Sequence, residues 1–217
     1  MAQPRDEPYI WVTWLSRLLA GDAHCEWALW FKAHHKYDKQ EKDETVDLPA
    51  WKAAHGEFVR VRAAELRAAG YKVFVEDQNK FALKGKAATV GGKPDIVAIL
   101  GDEALVVDCK TGATHATDAL QVLVYMLILP LVHAACKGKR VTGEVRYKDH
   151  VTTIPADALT PDLRELIRGT ITRAGGAAPT QRVPSYAECN FCDITAADCP
   201  ERIDVEPPAE EPSHDIF

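Results

Sequence analysis

The sequence lacks any apolar run near the ~20 residues that a helix needs to cross a bilayer. Its N-terminus also lacks the basic-then-apolar order of a secretory signal, because acids and an arginine stand among the first residues. These absences predict a cytoplasmic protein with no membrane partner, and disulfides are rare in that compartment. The 47% hydrophobic and 27% charged residues are those of an ordinary globular protein of 217 residues, without an internal repeat.

A net positive charge is also missing. The formal charge of −6 by itself argues against a nucleic-acid partner. However, residues 200–217 hold six acids and one arginine, a net charge of −5, so residues 1–199 carry only −1. Basic residues that could contact phosphates cluster near the middle of the chain, at Lys80, Lys84, Lys86 and Lys93. Composition therefore leaves the partner open.

The order of helical and strand patterns predicts an α/β domain with a mixed sheet. Helical spacing of apolar residues covers 9–36, 49–70, 116–129 and 161–176. The third of these helices is apolar almost all round, which predicts a buried helix that ends before Pro130. Strand patterns cover 71–77 and 79–85, expected to form a hairpin, and then 93–101, 103–112 and a pair within 141–155.

Two charged motifs interrupt the apolar strands 93–101 and 103–112. Asp95 follows Pro94 at the start of the first strand, and Asp108 stands two residues before Lys110 in the second. Side chains alternate along a strand, so Asp108 and Lys110 share one face while Cys109 points to the other. If the strands pair, both carboxylates converge beside the lysine and offer the hard oxygen ligands that suit Mg²⁺ or Mn²⁺. A buried Asp–Lys ion pair is the alternative interpretation, and Gly91-Gly92 before this motif are expected to be turn residues.

The following helix supplies two further polar residues. Gln121 and Tyr125 are four residues apart and therefore lie on one face of an otherwise apolar helix. Without a role in a site, they would be polar residues hydrogen-bonded within the core.

Together, "KPDI", "VVDCK" and "QVLVY" resemble the PD-(D/E)xK nuclease superfamily, in particular its RecB-like branch with a Q-x-x-x-Y motif. The resemblance spans roughly residues 50–130 and implies a restriction-endonuclease-like core. It implies metal ligation by His55, Asp95 and Asp108, with the Cys109 backbone carbonyl as a further ligand. It also implies that Lys110 is the catalytic lysine, with a catalytic role in positioning for the two helix residues Gln121 and Tyr125.

Three cysteines near the C-terminus, Cys189, Cys192 and Cys199, predict a second metal site. In a reducing compartment the spacing C-x2-C-x6-C favours metal ligation over disulfides. Three thiolates need a fourth ligand, for which Cys25 is the best candidate and His24 an alternative. A branch of the same superfamily, which includes CRISPR-adaptation nucleases and the nuclease domains of helicase–nucleases, resembles this one-plus-three arrangement and implies a [4Fe–4S] cluster. The last gap is one residue longer than usual there, so Zn²⁺ is the alternative.

Four segments are expected on these grounds. They are an N-terminal helical segment with one cluster cysteine (1–48), the nuclease core (49–176), a cysteine-rich segment (177–200) and an acidic, disordered tail (201–217).

The expected function is metal-dependent hydrolysis of phosphodiester bonds, in an exodeoxyribonuclease acting on single-stranded or end-bearing DNA. Two alternatives remain open: an inactive DNA-binding or assembly module of the same fold, and a zinc-stabilised restriction- or repair-type nuclease. The chain contains no helicase motif, so any unwinding would come from a partner helicase or another DNA-processing protein.

Overall fold

The computed structural model describes residues 2–40 and 47–208. The tail expected to be disordered lies outside these residues from 209 onwards, as does part of the charged connector, 41–46. The helices are α1 (Val12–Leu19), α2 (Glu26–His34), α3 (Leu48–Ala68), α4 (Ala116–Val132), α5 (Pro161–Gly175) and α6 (Tyr186–Asn190). The strands are β1 (Gln3–Pro4), β2 (Tyr9–Trp11), β3 (His35–Lys36), β4 (Lys72–Val75), β5 (Phe81–Lys84), β6 (Thr89–Gly92), β7 (Ile96–Leu100), β8 (Glu103–Cys109), β9 (Arg140–Arg146) and β10 (Val151–Ile154).

The central sheet has five strands in the order β10-β9-β8-β7-β4. Only β8 and β9 run parallel within it, and the other neighbours are antiparallel. The parallel pair is joined through α4, as a parallel connection requires a long crossover. A second sheet of three strands has the order β2-β6-β5, and β1 pairs with β3. The predicted α/β fold with a mixed sheet is confirmed.

Helices cover both faces of the central sheet. On one face, α4 packs Val122, Val124 and Leu129 into the main core, which also takes up Ile10 and Leu15 from the N-terminal segment. On the other face, α3 packs a smaller apolar cluster against β7 and β8. Helix α3 begins where the sequence indicates, because the Asp47 side chain accepts a hydrogen bond from the Ala50 N–H at 2.9 Å.

Two predictions about strands were wrong. β4 and β5 do not form a hairpin, because β4 pairs with β7 and β5 pairs with β6 in the other sheet. Gly91 and Gly92 lie in β6 and not in a turn. A side chain at Gly91 would overlap the ring of Tyr9, and one at Gly92 would stand 2.7 Å from the ring carbon Cε1 of Tyr125. These glycines therefore allow aromatic rings to lie directly on the strand.

Two predictions about helices were also wrong. Residues 9–36 do not form one helical stretch, because β2 precedes α1 and β3 follows α2. Helix α4 continues through Pro130 to Val132. The proline stands in the last turn, and the His133 N–H still donates to the Leu129 carbonyl at 2.9 Å. In the part of the chain that the structure describes, none of the helices is both long and apolar enough to span a membrane.

Candidate active site

The ends of β7 and β8 bring the two predicted aspartates together. Asp95 precedes β7, and its Oδ2 accepts a hydrogen bond from the Cys109 N–H at 2.7 Å. Asp108 lies in β8 and is almost fully buried, with 4% of its side chain exposed. Cys109 belongs to the apolar cluster beneath α3, so it points away from the face that carries Asp108. The alternation of β8 thus separates an acidic face from an apolar one.

Lys110 lies between two carboxylates. Its Nζ is 2.8 Å from Asp108 Oδ2 and 3.4 Å from Asp118 Oδ1. Burial disfavours the lysine charge, but these two carboxylates outweigh that effect and raise the pKa of Lys110. Lys110 is therefore an ammonium at neutral pH, a hydrogen-bond donor and not a base.

Gln121 on α4 links the lysine to the acids. Its Oε1 accepts from Lys110 Nζ at 3.2 Å, while its Nε2 donates to Asp108 Oδ1 at 2.9 Å and to the Tyr125 hydroxyl at 3.2 Å. Burial is the main reason why the pKa of Tyr125 is raised. Gln121 and Tyr125 thus lie on the same face of α4, as predicted, and this face is turned toward Asp108 at the end of β8.

Burial also acts on the central carboxyl. It raises the pKa of Asp108 to about 6, against the opposing effect of the Lys110 charge. A carboxylate in such surroundings needs a cation, since an unpaired buried charge is costly.

His55 reaches the same place from α3. Its Nε2 lies 3.4 Å from Asp95 Oδ1, and this interaction raises the pKa of His55 although burial opposes it. The helix is held on the sheet by a partly buried ion pair, in which Arg62 Nη2 donates to Glu144 Oε2 of β9 at 2.7 Å. Because Arg62 lies two turns after His55 on α3, this ion pair helps to hold the imidazole against the strand ends.

Asp95 and Asp108 fit Mg²⁺ or Mn²⁺ by their donor chemistry, since carboxylate oxygens suit both ions, whereas the His55 imidazole is a nitrogen donor that favours a transition-metal ion such as Mn²⁺ over Mg²⁺. In residues 2–40 and 47–208, however, no group of three or more His, Cys, Asp or Glu side chains stands ready to hold a metal ion. Both carboxylate oxygens of Asp108 already have partners, Oδ2 the Lys110 ammonium and Oδ1 the Gln121 amide.

A cavity of about 360 Å³ opens over these residues. Its lining includes all of the predicted catalytic residues, namely Asp95, Asp108, Lys110, Gln121 and Tyr125. His55, Lys93, Trp11 and Trp51 line it as well.

Asp118 is the site residue that sequence reasoning missed. It is buried, with 6% of its surface exposed, and its Oδ2 accepts from the Tyr147 hydroxyl at 2.8 Å. Its other oxygen faces Lys110. The available signal was its spacing on α4, since Asp118 lies three residues before Gln121 and seven before Tyr125, on the same helix face.

The four predicted cluster cysteines line one cavity, although in the described part of the chain no three of them form a group that could hold a metal ion. Cys25, Cys189, Cys192 and Cys199 line one cavity of about 20 Å³, to which they are brought by the start of α2 and by the C-terminal segment. Cys25 is the residue that precedes α2 and does not lie within the helix. Its N–H donates to Glu188 Oε1 at 3.0 Å, which ties the two segments together.

His24, the alternative fourth ligand, is directed elsewhere. Its Nδ1 lies 3.5 Å from Glu188 Oε2, and 69% of its side chain is exposed.

Two arginines, Arg182 and Arg202, line the cysteine cavity. Burial raises the pKa of Cys25 and of Cys199, so both are thiols at neutral pH.

A mixed sheet with two carboxylates and a lysine at adjacent strand ends, flanked by helices, defines the class of restriction-endonuclease-like proteins. The family model of the PD-(D/E)XK nuclease superfamily matches residues 13–199, and the chain belongs to that superfamily. The structure also resembles SSO0001, known from a crystal structure, with a TM-score of 0.48 and 15% identity over 93% of this chain and 90% of that chain. A comparison with curated protein sequences found no match.

Proposed function

We propose that this protein is a metal-dependent deoxyribonuclease of the RecB-like branch that hydrolyses phosphodiester bonds in single-stranded or end-bearing DNA. One observation carries the proposal: Asp95, Asp108, Lys110 and Gln121 meet in a single open cavity. Superfamily membership implies a nucleic-acid substrate and a divalent metal.

His55, Asp95 and Asp108 would hold the ion, with the Cys109 carbonyl as a further ligand. When bound, Mg²⁺ or Mn²⁺ supplies Lewis-acid polarisation of the phosphoryl oxygens. Asp118, the second carboxylate near Lys110, would keep the ammonium paired if Asp108 served as a ligand of the ion.

Lys110 then acts as a hydrogen-bond donor. Its Nζ can orient the attacking water or stabilise the negative charge that develops on the phosphate. Gln121 restricts this ammonium by accepting one of its hydrogen bonds, and Tyr125 in turn accepts from Gln121. The chain's own contribution is therefore a fixed cation beside a cluster of carboxylates.

The test incubates end-labelled linear single strands and duplexes, circular single strands and RNA with the pure protein in Mg²⁺, Mn²⁺ or EDTA. We expect metal-dependent cleavage of linear single-stranded DNA that disappears in Asp108→Ala and Lys110→Ala. Degradation of linear but not circular strands would establish dependence on ends.

Intact DNA in every lane, from folded protein, would contradict the proposal. It would favour the inactive DNA-binding or assembly module, or an enzyme that needs a partner such as a helicase.

The second part of the proposal is a structural metal centre on the four cysteines, a [4Fe–4S] cluster or Zn²⁺. Four thiols that line one cavity are donors that suit a soft metal. Arg182 and Arg202 also line this cavity, each paired with a carboxylate, that of Glu201 or Asp204. A cavity of about 20 Å³ holds a single ion or water, which keeps Zn²⁺ as the specific alternative to a cluster. Iron, sulfide and zinc analysis of anaerobically purified protein decides between them.

A further inference from the structure

Trp51 is an exposed aromatic side chain at the catalytic cavity. It lies in the first turn of α3 with 45% of its surface exposed, and it lines the same cavity as Asp95 and Asp108. The other four tryptophans are buried or half-buried. An exposed indole beside charged groups is unusual, because large aromatic side chains gain by leaving water.

The ring of Trp51 is held in place by two contacts. Its Nε1–H donates to Thr111 Oγ1 at 2.9 Å, and Thr111 directly follows Lys110. The ring stacks on the imidazole of His55, with centroids 5.3 Å apart and planes inclined by 15°. The indole is thus held both by α3, through His55, and by the end of β8, through Thr111. Little conformational freedom therefore remains to be lost when a ligand stacks on the indole.

A purely structural role explains only part of this arrangement. Stacking on His55 can orient the imidazole, but the imidazole covers only part of the indole, and 45% of the Trp51 surface stays exposed. Lys93 lines the same cavity with 44% of its side chain exposed, and its one ion pair among the described residues is a long one, 3.5 Å from Nζ to Oδ1 of the exposed Asp77, which a phosphate can replace. An open aromatic surface, a nearby cation and a catalytic cavity are what a nucleotide requires.

We infer that Trp51 is a stacking platform for one unpaired base of the substrate, next to the phosphate that is cleaved. The inference rests on the proposed nuclease function and specifies its substrate further. In a duplex the base faces are covered by neighbouring bases, so a stacking platform favours single-stranded nucleic acid.

The experiment measures the affinity of fluorescent single-stranded oligonucleotides in Ca²⁺ by anisotropy, while an abasic site is moved one position at a time. When the abasic site stands at one particular position, the affinity of wild type should fall about 5- to 150-fold, which is the effect of removing one stacked base. Trp51→Ala should bind the intact oligonucleotide more weakly by a similar factor, with no further loss at that abasic position. Trp51→Phe should retain most of the affinity, and binding of a blunt duplex should be unchanged in both variants.

Mn²⁺ affinity, measured calorimetrically on the same variants, separates stacking from the positioning of His55. If Trp51→Ala weakens Mn²⁺ binding and still shows the abasic profile of wild type, the indole acts on the metal site and the inference is wrong. It is also wrong if Trp51→Ala binds single strands as tightly as wild type.

Cleavage assays keep the two proposals apart. If wild type cleaves DNA and Trp51→Ala binds single strands as tightly as wild type, the stacking role is wrong and the nuclease function is unaffected. Wild type that neither cleaves nor binds any oligonucleotide would overturn both.

Discussion

At the scale of the residue, Asp108 reduces the stability of the metal-free protein. Burial raises its pKa from 3.8 to about 6, so the folded state binds a proton more tightly than the unfolded state. This lowers the free energy of unfolding above pH 6, and the penalty disappears as the pH falls from about 6 to below 4. Asp108→Asn should therefore raise the melting temperature in EDTA at pH 8 and have little effect at pH 4, as measured by calorimetry.

The same substitution should abolish cleavage, so stability and activity change in opposite directions. Asp102→Asn, at an exposed turn position where the carboxylate makes only a long, 3.8 Å ion pair with Lys139, is the matched control and should leave both nearly unchanged. A lower melting temperature for Asp108→Asn at pH 8 would mean that the ion pair with Lys110 outweighs the cost of burial.

Asp118 is a positioning residue that acts through Lys110. Since Asp108 and Asp118 together raise the pKa of Lys110, Asp118→Asn should lower that pKa. Lys110 then loses its proton at a lower pH, and the alkaline limb of the pH–rate profile should move to lower pH. The maximal rate should fall roughly tenfold, the effect of about 1.4 kcal/mol in the barrier.

Tyr147→Phe is the control for that prediction, because it removes the hydroxyl that donates to Asp118 and leaves the carboxylate charge in place. We expect a wild-type pH–rate profile from Tyr147→Phe. An equal shift in both variants would show that packing around Asp118, and not its charge, is responsible.

At the scale of the element, the distance between α4 and the central sheet depends on Gly143 of β9. A side chain there would stand 2.4 Å from Val122 Cγ1 and 2.9 Å from Met126 Sδ, both on α4. Gly143→Ala should displace the helix and lower the free energy of unfolding by about 2 kcal/mol. Because α4 carries Gln121, the activity should fall as well, and urea unfolding with cleavage assays measures both.

Gly56 in α3 offers the contrasting substitution. A side chain there has nothing within 4 Å, and the residue lies inside a helix. Gly56→Ala should raise the free energy of unfolding by about 0.5–1 kcal/mol, since alanine loses less backbone entropy on folding. If both alanine variants were equally destabilised, close packing at Gly143 would not be the cause.

At the scale of the whole molecule, the cysteine cavity joins the segment before α2 to the last described part of the chain. If the four thiols hold a metal, Cys192→Ala should lose the bound iron or zinc and melt at a lower temperature. Limited proteolysis should then release the segment after α5. Cys136→Ala is the matched control, because Cys136 is buried in the main core and does not line the cysteine cavity.

Equal metal content in Cys192→Ala and Cys136→Ala, measured by plasma mass spectrometry, would contradict a metal site at these cysteines. Wild type treated with a chelator should behave like Cys192→Ala if the metal stabilises the fold.

Local patterns in the sequence were sufficient for most helices, for the central strands and for the shared faces of four residues that line the candidate site. Asp108 and Lys110 share a face because a strand alternates, and Gln121 and Tyr125 share one because a helix repeats every 3.6 residues. These are short-range properties of the chain. The expected convergence of Asp95 and Asp108 needed only the pairing of two consecutive strands.

Only the tertiary structure decided which distant segments meet. The assignment of β4 and β5 to different sheets, the close approach of aromatic rings to Gly91 and Gly92, and the place of Trp51 at the cavity all depend on contacts between residues far apart in sequence. Asp118 likewise became a partner of Lys110 only when α4 packed against the end of β8. Periodicity determines which face a side chain occupies, whereas long-range packing determines what that face meets.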